Sequence, residues 1–228
     1  MATSIERLQS RLDKNLAVRK KELTILKTQV ASAENLVLNT FIRTGIVMLY
    51  AHWEGFIKMA AREYLSYLNN LNISRSAMKD NFITLAIKPT IRDCSQSLKT
   101  EKHYEIIHEV IYKSNMPFDV NQMDKLIINT ESNLSYVVLQ DILFNLGLEK
   151  SKYELKANYL KEELLDRRNA IAHGELIEMN TSTPQNIEVR KQSFYTLYTD
   201  IIQLMETFKE QILDAATEQS YLKEINNP

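Results

Sequence analysis

The sequence predicts an all-α protein, an up-and-down helical bundle with long N- and C-terminal helices and a small helical insertion. Apolar residues recur along most of the chain at spacings of three, four and seven, which is the period of an amphipathic helix. Only four glycines and four prolines occur in 228 residues, too few for the many tight turns of an all-β fold. A 44% apolar and 25% charged composition is ordinary for a folded domain.

The first two helices are the clearest elements. Residues 3–32 carry one apolar stripe with charged residues on the other faces, so we expect a packed surface helix there. Residues 34–70 are apolar on more than one face, which is typical of a helix at the centre of a bundle. The stripe of the first helix includes Ile5, Leu8, Leu12, Leu16, Leu23, Leu26 and Val30.

The middle of the chain is the most irregular part. Residues 75–114 read as two shorter helices separated by residues 95–102, and 116–125 as a loop or short turn, with Pro117 as a stop signal. We treat 72–131 as a helical insertion or subdomain on the bundle, because no linker composition marks a second domain. Residues 1–228 are therefore expected to form a single domain.

A further helix is predicted up to Gly147. Ser132 or Asn133 is expected to cap its N-terminus, and Gly147 suits the residue just beyond its C-terminus. The remaining elements are a helix from near Lys152, a loop at 180–186 and a last helix from about Ile187 to Leu222.

Composition excludes several classes of function. Cys94 is the single cysteine, so neither an intrachain disulfide nor a thiolate metal cluster can form. The glycines are too dispersed for a phosphate-binding loop, and no apolar run is long enough to span a membrane. The N-terminus does not resemble a signal peptide, and we expect a cytoplasmic protein. A net charge of −1 argues against chain-wide attraction to nucleic acid but leaves room for a local basic patch.

The candidate chemistry lies in RRNAIAHGE, residues 167–175. On an ideal helix Arg168 and His173 are about 140° apart, so one helix face does not present both. Asn169 and His173 are about 40° apart and can touch. Gly174 suits the end of the helix, where the helix dipole favours a protonated imidazole.

Arginine and histidine together suit phosphoryl transfer without a metal. The guanidinium is a permanent cation shaped to bind phosphate, and histidine exchanges protons near neutral pH. One group could activate a ribose 2′-hydroxyl or protonate the leaving oxygen while the other stabilises the charged transition state. The alternative is a structural helix end, in which Asn169 and His173 make an ordinary contact.

These residues resemble the HEPN superfamily. Residues 168–173, R-N-A-I-A-H, match its Arg-x4-6-His signature, with the Asn after the Arg and the Gly after the His that are typical of it. Two further blocks, YAHWEGFIK (50–58) and SNLSYVVLQDILFNLGLEK (132–150), occur in the same order. They are similar to stand-alone bacterial HEPN proteins of the MAE-type branch, near the RiboL-PSP-associated group, found in conflict and defence loci.

The resemblance implies a helical bundle that forms a homodimer and cleaves RNA without metal or cofactor, through a site composed of both protomers. Arg168 and His173 carry over as the catalytic pair and Asn169 as the residue that orients them. Arg167, outside the motif, is either a phosphate contact or a solvated helix charge. Glu54 on an apolar helix needs a partner: either Arg168 or His173 at the site, or an arginine of another helix.

The expected function is thus a toxin or antiphage-defence endoribonuclease, with RNA as substrate and an antitoxin or defence protein as partner. Glu175 stands where some HEPN toxins carry a tyrosine that a partner nucleotidyltransferase modifies, which argues against that control. The alternatives are a non-catalytic HEPN-like module for dimerisation and partner binding, and a helical binder of nucleotides or other small ligands. Trp53 is expected in the core rather than as a platform for base stacking.

Overall fold

A computed structural model describes residues 4–131, 133–175 and 183–224. These residues contain helices and no β-strand; the only extended pairings among them are two isolated bridges. The all-α prediction is therefore confirmed. The α-helices are α1 (Ser4–Ser32), α2 (Asn35–Asn69), α3 (Asp80–Ser95), α4 (Thr100–Ile111), α5 (Tyr136–Asn145), α6 (Ser151–Glu154), α7 (Ala157–Leu160), α8 (Arg167–Ala172) and α9 (Pro184–Thr217).

The first two helices pack antiparallel along their length. The link between them is only residues 33–34, so the chain must turn back on itself. Arg11 of α1 donates to Glu63 of α2 at 2.7 Å, and Arg19 donates to the carbonyl of His52 at 3.1 Å. The residue numbers of α2 thus decrease as those of α1 increase, so the two helices are antiparallel.

The last helix also runs antiparallel to α1. Lys209 pairs with Asp13 at 2.9 Å near the start of α1, whereas Lys191 donates to the carbonyl of Ala31 at 2.8 Å near its end. Between these points the three long helices bury a shared apolar core. Its fully covered members include Leu12, Leu38, Leu49, Phe56, Ile57, Leu65, Ile201, Phe208 and Ile212, each worth about 1.5–3 kcal/mol of transfer free energy.

The fourth long element is the segment 157–172, where α7 continues through a π-helical stretch, Lys161–Asp166, into α8. It packs on α2 in the antiparallel sense, since Arg168 lies over Tyr50 and Leu164 faces the same cavity as Trp53. The four elements therefore alternate in direction as an up-and-down bundle. Because α2 contacts α1, α9 and this segment, its apolar surface is buried on several sides, as its sequence predicted.

Residues 72–131 fold beside the bundle as a 3-10 turn (Arg75–Ala77), α3, α4 and a long irregular stretch. Glu109 holds this part together, since it bonds both Arg75 and Lys113. Helix α4 contributes no buried residue and exposes apolar side chains. That this segment is an insertion on a single domain stays a prediction.

Several predicted boundaries were wrong, and capping side chains set two of the helix starts. Ser135, rather than Ser132 or Asn133, caps α5, and its hydroxyl accepts a hydrogen bond from Val138 N at 3.3 Å.

Thr183 caps α9, and its hydroxyl accepts a hydrogen bond from Asn186 N. The helix therefore begins inside the predicted loop at 180–186, of which 180–182 lie outside the described residues. Helix α9 ends at Thr217 and not at Leu222, since Gln219 takes a positive φ of 55°. The helix predicted from near Lys152 is broken between α6 and α7. Gly147 does lie just beyond α5, at φ 66°.

Within the described ranges, no helix is both long and apolar enough to cross a membrane.

Candidate active site

The motif occupies the last turns of the segment 157–172. The π-helical stretch just before it widens the turn that precedes Arg167. Such stretches are rare and occur often at functional sites, because they displace the following side chains around the helix axis. Leu164, in the middle of this stretch, is buried and fastens it to the core. The orientation of the motif is thus set by an irregular turn that the sequence did not predict.

Gly174 ends the motif helix with a complete Schellman cap. Its φ is +79°, which costs a glycine little, and no described residue would lie within 4 Å of a Cβ placed there. Gly174 N donates to the carbonyl of Ile171 at 3.1 Å, and Glu175 N donates to that of Ala170 at 2.9 Å. His173 is therefore the last residue before the cap and is exposed at the C-terminal, electronegative end of the helix.

Arg168 is held against α2. Its guanidinium carbon lies 3.9 Å from the centre of the Tyr50 ring, within the range of a cation–π contact. Its Nη2 donates to the side-chain oxygen of Asn133, which precedes α5. The planar group is thus fixed by two elements that lie far from it in sequence, and it is only partly exposed.

Tyr50 is the centre of this arrangement. It is buried, and its hydroxyl accepts a hydrogen bond from Leu134 N at 2.7 Å. Glu54 lies one turn along α2, on the same face of the helix. Burial raises the pKa of Tyr50, and the charge of Glu54 acts in the same direction, so the hydroxyl stays protonated. Tyr50 therefore contacts the Arg168 guanidinium through its ring and Leu134 through its hydroxyl.

Glu54 belongs to the network around Tyr50, because its charge raises the pKa of the Tyr50 hydroxyl. Thr130, itself buried, donates its hydroxyl hydrogen to Glu54 Oε1 at 2.5 Å, and Lys58 Nζ lies 3.7 Å from the same oxygen. These partners are neither the motif residues nor an arginine of another helix, so a role for Glu54 at the site stays a prediction.

The network contains three residues that sequence reasoning missed: Tyr50, Thr130 and Asn133. Tyr50 carried the one usable signal. It lies four residues before Glu54 on an apolar helix, and residues at that spacing share a helix face.

Arg167 points to a different environment. It pairs with Glu163 one turn earlier, at 2.5 Å, and lines a pocket of about 200 Å³ together with Arg190. Burial lowers the pKa of Arg190, and the charge of Arg167 lowers it further. The structure thus separates Arg167 from the Arg168–Tyr50 network and places a second cation beside it.

Asn169 and His173 are joined by a backbone hydrogen bond, from His173 N to Asn169 O, at 3.0 Å. The predicted contact between their side chains stays a prediction. The side chain of Arg168 is directed to α2, whereas His173 lies exposed at the helix end. Among the described residues, no three His, Cys, Asp or Glu side chains are grouped as metal ligands would be.

The family model described as RiboL-PSP-HEPN matches residues 14–214. The chain belongs to this HEPN family. That confirms the resemblance seen in the motif and extends it over most of the chain. Comparisons with curated proteins and with solved structures give no significant match.

The HEPN match contains the whole candidate site. It runs from the middle of α1 to near the end of α9, so it includes Glu54 as well as the motif at 168–173. Its bounds also include residues 72–131. The helices that build the Tyr50 network are accordingly those of the HEPN domain itself.

Proposed function

We propose that this HEPN protein is a metal-independent endoribonuclease in which Arg168 and His173 form the catalytic pair. The observation that supports this most is the contrast between the two side chains. Arg168 is fixed by Tyr50 and Asn133, and a guanidinium that binds a phosphate in one orientation needs to be held in this way. His173, in contrast, is exposed, so a substrate can reach it.

The proposed reaction is an attack by a ribose 2′-hydroxyl on the adjacent phosphorus. The O2′–P bond forms and the P–O5′ bond breaks, which leaves a 2′,3′-cyclic phosphate and a free 5′-hydroxyl. The proton leaves O2′ and a proton reaches O5′, and His173 carries out one of these transfers. Arg168 stabilises the negative charge that gathers on the phosphoryl oxygens. Asn169 orients His173 from one turn back.

The site is proposed to be composite, with the arginine of one protomer facing the histidine of its partner in a homodimer. Helical geometry supports this, because the two side chains are about 140° apart around their helix. The contact of Arg168 with α2 and the exposure of His173 agree with that angle. A two-fold axis beside the motif would bring the two halves together twice.

A role as a toxin or in antiphage defence, with an antitoxin or defence protein as partner, rests on the branch of the family that the sequence resembles. A non-catalytic module for dimerisation and partner binding is the second candidate. The exposed apolar side chains of α4, among them Tyr104, Ile107 and Ile111, favour it, since such surfaces serve protein contacts.

The test is RNA cleavage in EDTA by the wild-type protein and by Arg168→Ala and His173→Ala. Each substitution should lower the cleavage rate by about 10²–10⁴-fold, the usual contribution of such groups. His103→Ala, which removes an exposed histidine from α4, should leave the rate unchanged. Cleavage that survives both motif substitutions would rule out the assignment.

Mixing the two inactive variants tests the composite site. In a mixed dimer one of the two sites receives Arg168 from one chain and His173 from the other. After subunit exchange at equal amounts, half of the dimers are mixed, so about a quarter of wild-type activity should return. No recovery in dimers shown to have exchanged would contradict the composite arrangement.

A further inference from the structure

A pocket of about 200 Å³ lies where α2, α8 and α9 meet. It brings together Arg167 of α8 and Arg190 of α9, two permanent cations that are distant in sequence. The exposed Ser193, one turn beyond Arg190 on the same face of α9, adds a hydroxyl to the lining. The other lining residues are apolar: Ile42, Ile46, Val189, Phe194 and Leu197.

We propose that this Arg167–Arg190 pocket binds a phosphate group of the RNA substrate other than the one that is cut. The proposal rests on the proposed function, because it takes RNA as the substrate. It adds a second anchor for the RNA backbone, on residues outside the Arg–His motif. The pocket is smaller than the roughly 300–1,000 Å³ of sites for drug-sized ligands, so it suits a group as small as a phosphate.

The two guanidinium groups are close enough to repel each other. Burial lowers the pKa of Arg190, and the charge of Arg167 lowers it further. Glu163 compensates Arg167 through an ion pair at 2.5 Å, whereas Arg190 donates to the neutral side-chain oxygen of Asn39 at 2.9 Å. Two guanidinium groups and one carboxylate leave one positive charge in excess. An anion in the pocket would offset it and relieve the repulsion.

Both arginines are held in place and keep donors for a ligand. The contacts with Glu163 and Asn39 each use the Nη1 atom, and a guanidinium carries five N–H donors. Solvent reaches the polar lining, since the side chain of Arg167 is 31% exposed and Ser193 is exposed. The donors come from two helices, and a phosphate offers oxygens in several directions, whereas a carboxylate offers two in one plane. The lining therefore favours a phosphate over an acidic side chain.

The phosphate in this pocket is not the one on Arg168. Consecutive residues leave a helix about 100° apart, so Arg167 and Arg168 reach different surfaces. Arg168 contacts Tyr50 and Asn133, and neither of these lines the Arg167–Arg190 pocket. An RNA strand that contacts both arginines must therefore cross α8 at the motif.

The salt dependence of RNA binding tests the pocket without any cleavage. A 2′-O-methyl RNA oligomer lacks the attacking hydroxyl, so it can bind without being cut. Its dissociation constant would be measured over a range of salt concentrations for the wild type, Arg167→Gln, Arg190→Gln and the double variant. The matched control is Arg92→Gln, which removes an exposed arginine of α3 that also pairs with a carboxylate, that of Asp93.

Each single substitution should weaken RNA binding about tenfold or more, the effect of losing a hydrogen bond between charged groups. In the double variant, the slope of log K against log salt should fall in magnitude by about 0.7, the value for one phosphate of a single strand. Arginines that contacted two separate phosphates would lower it by about 1.4. A fall of about 1.4, or affinities and slopes equal to those of Arg92→Gln, would overturn the proposal.

Ser193→Glu tests the pocket while leaving Glu163 and Asn39 in place. The new carboxylate would act as an internal anion beside the two arginines, so RNA binding should weaken and the slope should again fall by about 0.7. Ser10→Glu adds the same charge at an exposed position of α1 and is the matched control. Urea unfolding of both variants checks that the fold is retained. Equal RNA binding by Ser193→Glu and Ser10→Glu would refute the pocket.

Inorganic phosphate distinguishes the two sources of the ligand. Sodium phosphate could raise the Tm of the wild type, but not of Ser193→Glu, relative to sodium chloride at the same ionic strength. If the RNA slopes of all variants were then equal, the pocket would bind free phosphate and the proposal would be wrong. Binding with the expected slopes by a protein that cuts no RNA would refute the ribonuclease and retain the phosphate site. Cleavage with equal slopes in all variants would do the reverse.

Discussion

Replacement of Tyr50 by leucine should detach Arg168 from α2, whereas replacement by phenylalanine should not. Leucine removes the ring that lies 3.9 Å from the guanidinium, and phenylalanine keeps it. Both substitutions remove the hydroxyl that accepts the hydrogen bond from Leu134 N. The pair of variants therefore separates the role of the ring from that of the hydroxyl.

The expected magnitudes follow from these contacts. Losing the hydroxyl leaves the buried N–H of Leu134 without its acceptor, which costs about 1–3 kcal/mol of unfolding free energy in either variant. Glu54 keeps its hydrogen bond from the hydroxyl of Thr130, so the carboxylate retains a hydrogen-bond donor in both variants. The ring adds about 0.5–2 kcal/mol through its contact with Arg168, and only Tyr50→Leu should lose it.

A double-mutant cycle with Arg168→Met isolates that contact. Urea unfolding would be measured with and without Arg168→Met in three backgrounds: the wild type, Tyr50→Phe and Tyr50→Leu. Arg168→Met should cost about 0.5–2 kcal/mol more with tyrosine or phenylalanine at position 50 than with leucine, so the coupling energy should be close to zero in the Tyr50→Phe cycle and about 0.5–2 kcal/mol in the Tyr50→Leu cycle. In an active protein, kcat should fall in Tyr50→Leu and not in Tyr50→Phe, because a displaced guanidinium loses about 10²-fold in rate for an error on the order of 1 Å.

An equal effect of Arg168→Met in the phenylalanine and leucine backgrounds would refute the reasoning, since the ring would then not hold the arginine. A phenylalanine variant as slow as the leucine variant would show instead that the hydroxyl network positions Arg168. A change in the denaturant dependence of any variant would signal loss of two-state unfolding and exclude it from the cycle.

Two further predictions concern the bundle. Gly45→Ala should lower the free energy of unfolding measured in urea, because the new Cβ would lie 2.8 Å from Phe194 Cζ. The overpacking costs about 1–3 kcal/mol, which outweighs a gain in helix propensity of roughly 1 kcal/mol. An unchanged free energy of unfolding would mean that the Phe194 ring moves aside at no cost. Burial, together with the charge of Arg19, lowers the pKa of His52 below its ordinary 6.5. At acidic pH the unfolded chain therefore protonates His52 more readily than the folded protein does. The free energy of unfolding should fall as the pH drops below about 6.5. Urea unfolding from neutral to acidic pH should show a weaker fall for His52→Gln than for the control His103→Gln, and identical curves would contradict the assignment.

The sequence predicted the features that depend on composition along one element. The central place of α2 followed from apolar residues on several of its faces, which only a surrounded helix can bury. Gly147 and Gly174 both lie at positive φ just beyond helices, as expected of a residue that lacks a Cβ. The motif helix end was thus predictable to the residue.

The contacts that position the motif could not be predicted in this way. Arg168 meets Tyr50 and Asn133, which are distant in sequence, and periodicity reports which face is buried but not what covers it. The π-helical stretch Lys161–Asp166 could not be predicted from the pattern of apolar residues. A π-helix changes which carbonyl each amide bonds, and it does not change which residues are apolar.

The two halves of the proposed site differ in how firmly the fold holds them. Arg168 rests on Tyr50, which the core and its hydrogen bond from Leu134 N fix, so its position follows from the folded protomer alone. His173 is exposed and is tied to its own helix by backbone hydrogen bonds at the cap. In the proposed dimer the partner would therefore add to Asn169 a second contact that defines the orientation of this histidine. Catalysis would then depend on association and not on a change within the protomer, so dilution below the dimer dissociation constant should abolish cleavage while the folded protomer persists.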